Sequence, residues 1–260
     1  MDPPPVPPRP SQPPAIPPRP PPPRPPAAGP PEYPPHCRGP LLADGSSPQS
    51  GVLIAGIKWQ ASGILEQGAN LPGQNVAIDH PLTISMGPAG TCVDQKGRQR
   101  TEILSWPPSQ AGESWLYQWR FHLSPALPTA YKFFHLTQLL SRETGGFVVA
   151  LGLVHGKVKV SSQIVRPPGE SGAGDEPLPE VDADKVWGRT TYHRMSVAFG
   201  PNGSIDYTVQ DSVTYEPILR YCVENVNVPA KASVKCGLYR AHVCSAATAV
   251  VGDFNFSKVS

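Results

Sequence analysis

The chain has 260 residues, with 22 Lys+Arg against 20 Asp+Glu and a formal net charge of +2; this balance excludes a strongly basic nucleic-acid binder and a polyacidic chain. Of the 36 prolines, 22 fall in the first 49 residues and 14 in the other 211, so the front is a low-complexity tail. A single domain is expected over residues 50–260, long enough to bury a core without metal or disulfide staples.

Residues 1–49 read as a disordered, Pro-rich tail of polyproline II character. Pro4-Pro5-Val6-Pro7-Pro8-Arg9 and Pro14-Ala15-Ile16-Pro17-Pro18-Arg19 each fit P-x-x-P-x-R. Two readings stand: a stiff linker, or a ligand for a polyproline-binding partner. The N-terminus lacks the short apolar run of a signal peptide, and no apolar run is long enough for a membrane-spanning helix.

From residue 50 the dominant period is two, the signature of half-buried strands. Ala77-Ile78-Asp79-His80-Pro81 is turn-like and carries His80. Arg100-Thr101-Glu102-Ile103-Leu104 follows as a strand. Trp115, Tyr117, Trp119 and Phe121 then alternate with Leu116, Gln118 and Arg120, a pattern for an inter-sheet core. Phe133–Leu140 reads as a strand. Phe147–Val154 and Lys157–Val160 flank the hairpin turn His155-Gly156. Residues 165–185, with six acids and several Gly and Pro, read as a long surface loop; Asp182 and Asp184 lack the Gly and closing Glu of a calcium loop. Tyr192–Phe199 and Ile205–Val209 flank a turn at Pro201–Ser204, and Ser233–Tyr239 and Ala247–Val251 complete the run. Many short, turn-punctuated strands predict an all-β fold, a jelly-roll β-sandwich of the concanavalin A-like kind.

Of the five cysteines, none forms a C-x-x-C pair. Cys37 lies in the tail; the four in the domain, Cys92, Cys222, Cys236 and Cys244, allow up to two disulfides, with Cys236 and Cys244 a candidate bridge, or are free buried thiols.

Three segments place polar groups among apolar neighbours. Arg100 and Glu102 share a strand face, as a cation beside a carboxylate or as a structural ion pair. Gln138 lies in an apolar run and needs a partner if buried. On a regular strand His135 faces away from Gln138; it joins the same cleft only through a bulge. Lys235, Gly237 and Tyr239 share a face, with Gly237 leaving space between the other two.

These segments resemble the strand motifs of jelly-roll polysaccharide lyases. Arg100-Thr101-Glu102-Ile103 is similar to the R-[ST]-E-[LV]-R motif of the family 7 alginate lyases, with Leu104 replacing the second Arg. Gln138-Leu139-Leu140 keeps the Gln of Q-[IV]-H and loses its His. Lys235-Cys236-Gly237-Leu238-Tyr239 matches K-A-G-[IV]-Y, with Arg240 where that family has Asn. The segments Phe133–Leu139, Gly188–His193 and Gly200–Tyr207 look closer to the fungal glucuronan lyases of family 20. The resemblance covers about residues 50–260 and none of the tail.

The resemblance implies β-eliminative cleavage of a uronate polysaccharide. Such a reaction removes the C5 proton beside an anionic carboxylate, which an amide or guanidinium must neutralise. A base takes the proton, and an acid protonates the leaving oxygen. Tyr239 suits the proton transfers if a nearby cation, Lys235 or Arg240, lowers its pKa. Gln138 and Arg100 suit the neutralising role, with His135 as a further candidate base. Glu102, Lys235, Arg240 and His80 are candidate substrate-binding residues. No metal or other cofactor is expected. The expected partner is an acidic polysaccharide, with neither nucleic acid nor membrane, and the family implies an extracellular site of action. A carbohydrate-binding, lectin-like module on the same fold stands as the alternative. A glycoside hydrolase would need two facing carboxylates, and Glu102 alone is well placed.

Overall fold

In the computed structural model the described residues are 39–87, 93, 96–125, 127, 132–164, 177–241 and 245–260. Most of the Pro-rich tail, with both P-x-x-P-x-R segments, lies outside them, as do Cys37, Cys92 and Cys244. Of the candidate Cys236–Cys244 pair, Cys236 is a free, buried thiol.

The alternating residues become sixteen strands: β1 (Leu41–Asp44), β2 (Gln49–Ile54), β3 (Ile57–Ala61), β4 (Ile64–Gln67), β5 (Pro81–Met86), β6 (Arg98–Ser105), β7 (Ser114–Leu123), β8 (Phe134–Ser141), β9 (Phe147–Val154), β10 (Lys157–Ser162), β11 (Glu180–Asp182), β12 (Thr190–Ala198), β13 (Gly200–Asp211), β14 (Pro217–Val228), β15 (Ala232–Ala241) and β16 (Ala247–Lys258). They form two eight-stranded sheets, ordered β1-β4-β5-β16-β7-β12-β13-β14 and β11-β10-β9-β8-β15-β6-β3-β2. All strand pairings within the two sheets are antiparallel. This is the expected jelly-roll sandwich. Its first strand, paired with β4, begins at Leu41, ahead of the residue where proline density falls.

Alternation divides each strand between core and surface. Tyr117, Trp119 and Phe121 of β7 are buried between the sheets, as the pattern predicts, facing Ile103, Leu139, Val234 and Leu238 in the same core. His193 lies in this core, its ring stacked on Trp119 at 5.0 Å. Its two ring nitrogens meet Thr191 Oγ1 at 2.9 Å and Tyr207 Oη at 2.8 Å, so the buried imidazole is satisfied on both sides.

Two local expectations need refining. The chain does reverse near Pro201–Ser204, Ala198 pairing with Ser204, but these residues are also strand, extending β13 along β14 from Gly200 onward through shifts of register. The acidic loop is interrupted: 165–176 lie outside the described residues, and Glu180–Asp182 pairs with β10, where Lys157 Nζ meets Asp182 Oδ1 at 2.7 Å. Residues Leu71, Val76 and Ile78 fold over Val250 to make a small second core. No helix among the described residues is long and apolar enough to cross a membrane.

Candidate active site

The outer face of the second sheet collects most of the candidate residues. Directly paired residues of antiparallel strands share a face. Between β15 and β6, Gly237 pairs with Glu102 and Tyr239 with Arg100; Gln60 of β3 pairs with Glu102, and Gln138 of β8 with Lys235.

Glu102 is the hub of this face. One carboxylate oxygen accepts from Gln138 Nε2 at 2.7 Å; the other accepts from Gln60 Nε2 at 2.7 Å and Lys235 Nζ at 2.9 Å. Burial alone would raise its carboxyl, but the adjacent Lys235 ammonium, with Arg100 and Gln60, outweighs burial and holds it below the usual carboxylate range. Glu102 and Lys235 are almost wholly buried, at 2% and 4% exposure. Both lie, with the equally buried Gln138, in the floor beneath the face, and Lys235 is turned to Glu102 rather than to the Tyr239 hydroxyl.

Above this floor, Tyr239 stands among guanidiniums. Arg98 Nη1 donates to its hydroxyl at 2.5 Å. The Arg98 and Arg100 carbons lie 5.5 Å and 4.9 Å from its ring centre. Gly237 makes room for the bend: its φ is +142°, and a Cβ there would fall 2.3 Å from the Thr101 carbonyl oxygen.

His135 joins the same face through a bulge. Between His135 and Thr137, β8 carries one residue more than β9, and the register with β15 shifts at the same place. The shift puts His135 opposite Tyr239, ring centres 5.9 Å apart, with Phe133 alongside. Burial draws its imidazole below the ordinary histidine value, partly offset by a Gln138 hydrogen bond and the Glu102 charge. Its Nδ1 is buried without a hydrogen-bond partner.

Two candidates lie elsewhere. Arg240 alternates to the inner side of β15 and is fully buried, bonding Gln99 Oε1 and the Ser245 carbonyl over the Phe134 ring; burial pulls it down to about 10. His80 sits ahead of β5 on the other sheet, where its backbone N–H meets Asp253 Oδ1 at 2.9 Å. Neither touches the Tyr239 cluster.

Arg98 and Gln60 were missed in the sequence. Arg98 shares the i, i+2, i+4 face of Arg100 and Glu102, a signal that was present; Gln60 comes from a distant hairpin with no motif around it. A groove of about 440 Å³ opens beside Tyr239, lined by Gln60, Ser62, Lys96, Arg98 and Arg100 together with Pro48–Ser50. Lys96, Arg98 and Arg100 bring three cationic side chains to its wall, which suits an anionic ligand.

The fold is similar to that of an endo-β-1,4-glucuronan lyase from the fungus Trichoderma reesei, with TM-score 0.56 and 11% identity over 81% of this chain and 94% of that one. It is also similar to alginate lyase AlgAT5 of polysaccharide lyase family 7, with TM-score 0.50 and 11% identity over 75% and 82% of the two chains. No family profile and no curated protein matches the sequence. The architecture is thus the jelly roll shared with these lyases.

Proposed function

We propose that this chain is a polysaccharide lyase that cleaves a glucuronan-like uronate polymer by β-elimination, with Tyr239 as its acid and base. One observation carries the reading: a tyrosine hydroxyl held by Arg98, under Arg100 and facing His135, beside a groove lined by Lys96, Arg98 and Arg100.

In this reading Arg100 and the second amide hydrogen of Gln138 bind the C6 carboxylate and stabilise the enolate that develops there. Tyr239, as phenolate, takes the C5 proton. The C5–H electron pair becomes the C4=C5 double bond, the C4–O bond breaks, and the departing oxygen takes the proton back from the Tyr239 hydroxyl. Arg98 and Arg100 favour the phenolate at the start and end of the cycle. His135, kept neutral by burial, packs edge-on to the Tyr239 ring and adds no second negative or positive charge beside the phenolate.

The product has a C=C bond conjugated to a carboxylate and absorbs in the ultraviolet, unlike a hydrolysis product. Tyr239→Phe is expected to lower turnover by at least about 10²-fold, the lower range for a lost proton-transfer group, with the circular dichroism spectrum unchanged. Near-wild-type turnover in that variant would remove Tyr239 from the mechanism. The taking up of Gln138 by Glu102 favours the second reading, a non-catalytic carbohydrate-binding module; polymer binding without product on prolonged incubation would select it.

A further inference from the structure

The Tyr239 cluster occupies one end of the outer face, and β6 carries the same face to the other. There, following Ser105, Trp106 is 40% exposed. Lys58 Nζ lies 3.7 Å above its ring centre, and the Arg142 guanidinium carbon is 5.9 Å away. The two cations arrive from opposite sides. Lys58 belongs to β3 and pairs with Leu104; Arg142 follows β8 and donates from Nε to Ser233 Oγ on β15 at 3.2 Å.

Arg142 senses the charge of Glu102, which is itself bonded to Lys235. No carboxylate forms a salt bridge with Lys58 or Arg142 among the described residues, and Arg142 Nη2 is buried with no hydrogen-bond partner at all. An indole face orients a cation but does not neutralise it. Two cations outside any salt bridge among the described residues converge on an exposed indole, one with an orphan donor, and form a position for a carboxylate on a ring with an apolar side.

We propose that Trp106, Lys58 and Arg142 form a remote subsite for one uronate residue of a bound polymer. Ser233, beside Arg142, and Tyr239 are six residues apart on β15, roughly 20 Å at strand rise. The subsite is therefore separated from Tyr239 by several sugar units, and it makes the protein favour polymer over short oligosaccharides. The inference rests on the uronate reading of the Tyr239 face, but not on catalysis there.

The test is binding of the full chain to polyglucuronate and to a glucuronate trisaccharide by calorimetry, alongside turnover. Wild type is expected to bind polymer more tightly than trisaccharide. Trp106→Ala and Lys58→Met are each expected to weaken polymer binding at least about fivefold, as for a lost charged or stacking contact. The same change is expected in KM for polymer, with kcat held. Polymer whose carboxylates have been reduced to alcohols is expected to be indifferent to Lys58→Met and still weakened by Trp106→Ala. Lys258→Met, in an exposed pair with Glu113, serves as the charge control. Unchanged polymer affinity in both variants would overturn the subsite even if turnover is robust. Binding that depends on Trp106 without any turnover would keep the subsite and sink the lyase reading. No binding of polymer by wild type would overturn both.

Discussion

At the scale of single residues, the Glu102–Lys235 pair is the feature most exposed to mutation. Removing one member of a buried pair leaves an uncompensated charge, at a cost of about 3–5 kcal/mol. Glu102→Ala is therefore expected to destabilise by that much in urea unfolding, and Glu102→Leu combined with Lys235→Met to recover most of it; a loss below about 1 kcal/mol for Glu102→Ala would contradict the buried network. Gly237→Ala places a Cβ 2.3 Å from a carbonyl oxygen at a φ of +142°. A loss of about 2–4 kcal/mol is expected, and a thermal midpoint equal to wild type would show that the bend tolerates a side chain. Shared faces were readable in the sequence, as with Arg100 and Glu102 or Lys235 and Tyr239. Partners were not. Nothing local tells that Lys235 turns from Tyr239 toward Glu102, or that Gln60 is the third ligand of that carboxylate, because those contacts are made across strands distant in sequence.

At the scale of elements, the bulge in β8 decides the site. Strict alternation sends His135 to the opposite side from Gln138, and one extra residue against β9 reverses that. A bulge is set by pairing, so the sequence of β8 states the condition without resolving it. Arg240 shows the converse: motif position suggested a substrate contact, while plain alternation on β15 buries it. Strand alternation also buries His193, and His122 lies under the 71–78 segment with Nδ1 on Thr190 Oγ1 at 2.9 Å. Burial draws these imidazoles down to about 3 and about 4, below the value of about 6.5 in an unfolded chain. Between those limits the unfolded chain binds more protons than the folded one, so stability is complete above about pH 6.5 and declines as the pH falls toward 3–4. The urea midpoint of wild type is expected to drop between pH 6.5 and 5, and that of a His122→Gln, His193→Gln variant to drop less. Equal slopes would contradict burial of these rings in neutral form.

At the scale of the molecule, the jelly roll follows from period-two patterning over some two hundred residues, with the aromatic row of β7 marking the core. Where the sheet begins was less legible, since Leu41–Asp44 lies within the proline-rich stretch and is held by pairing with β4. The face chosen for chemistry was legible only where three short motifs fall in order; its charge distribution, from the groove at Arg98 to the Lys58–Trp106 end, needed the sheet to be assembled. The most direct test is ultraviolet absorbance of the full chain mixed separately with polyglucuronate, alginate and pectate. The account predicts a rise with polyglucuronate that Tyr239→Phe abolishes. A flat trace with all three polymers, from protein that binds polyglucuronate, would contradict it and leave a carbohydrate-binding module on a lyase fold.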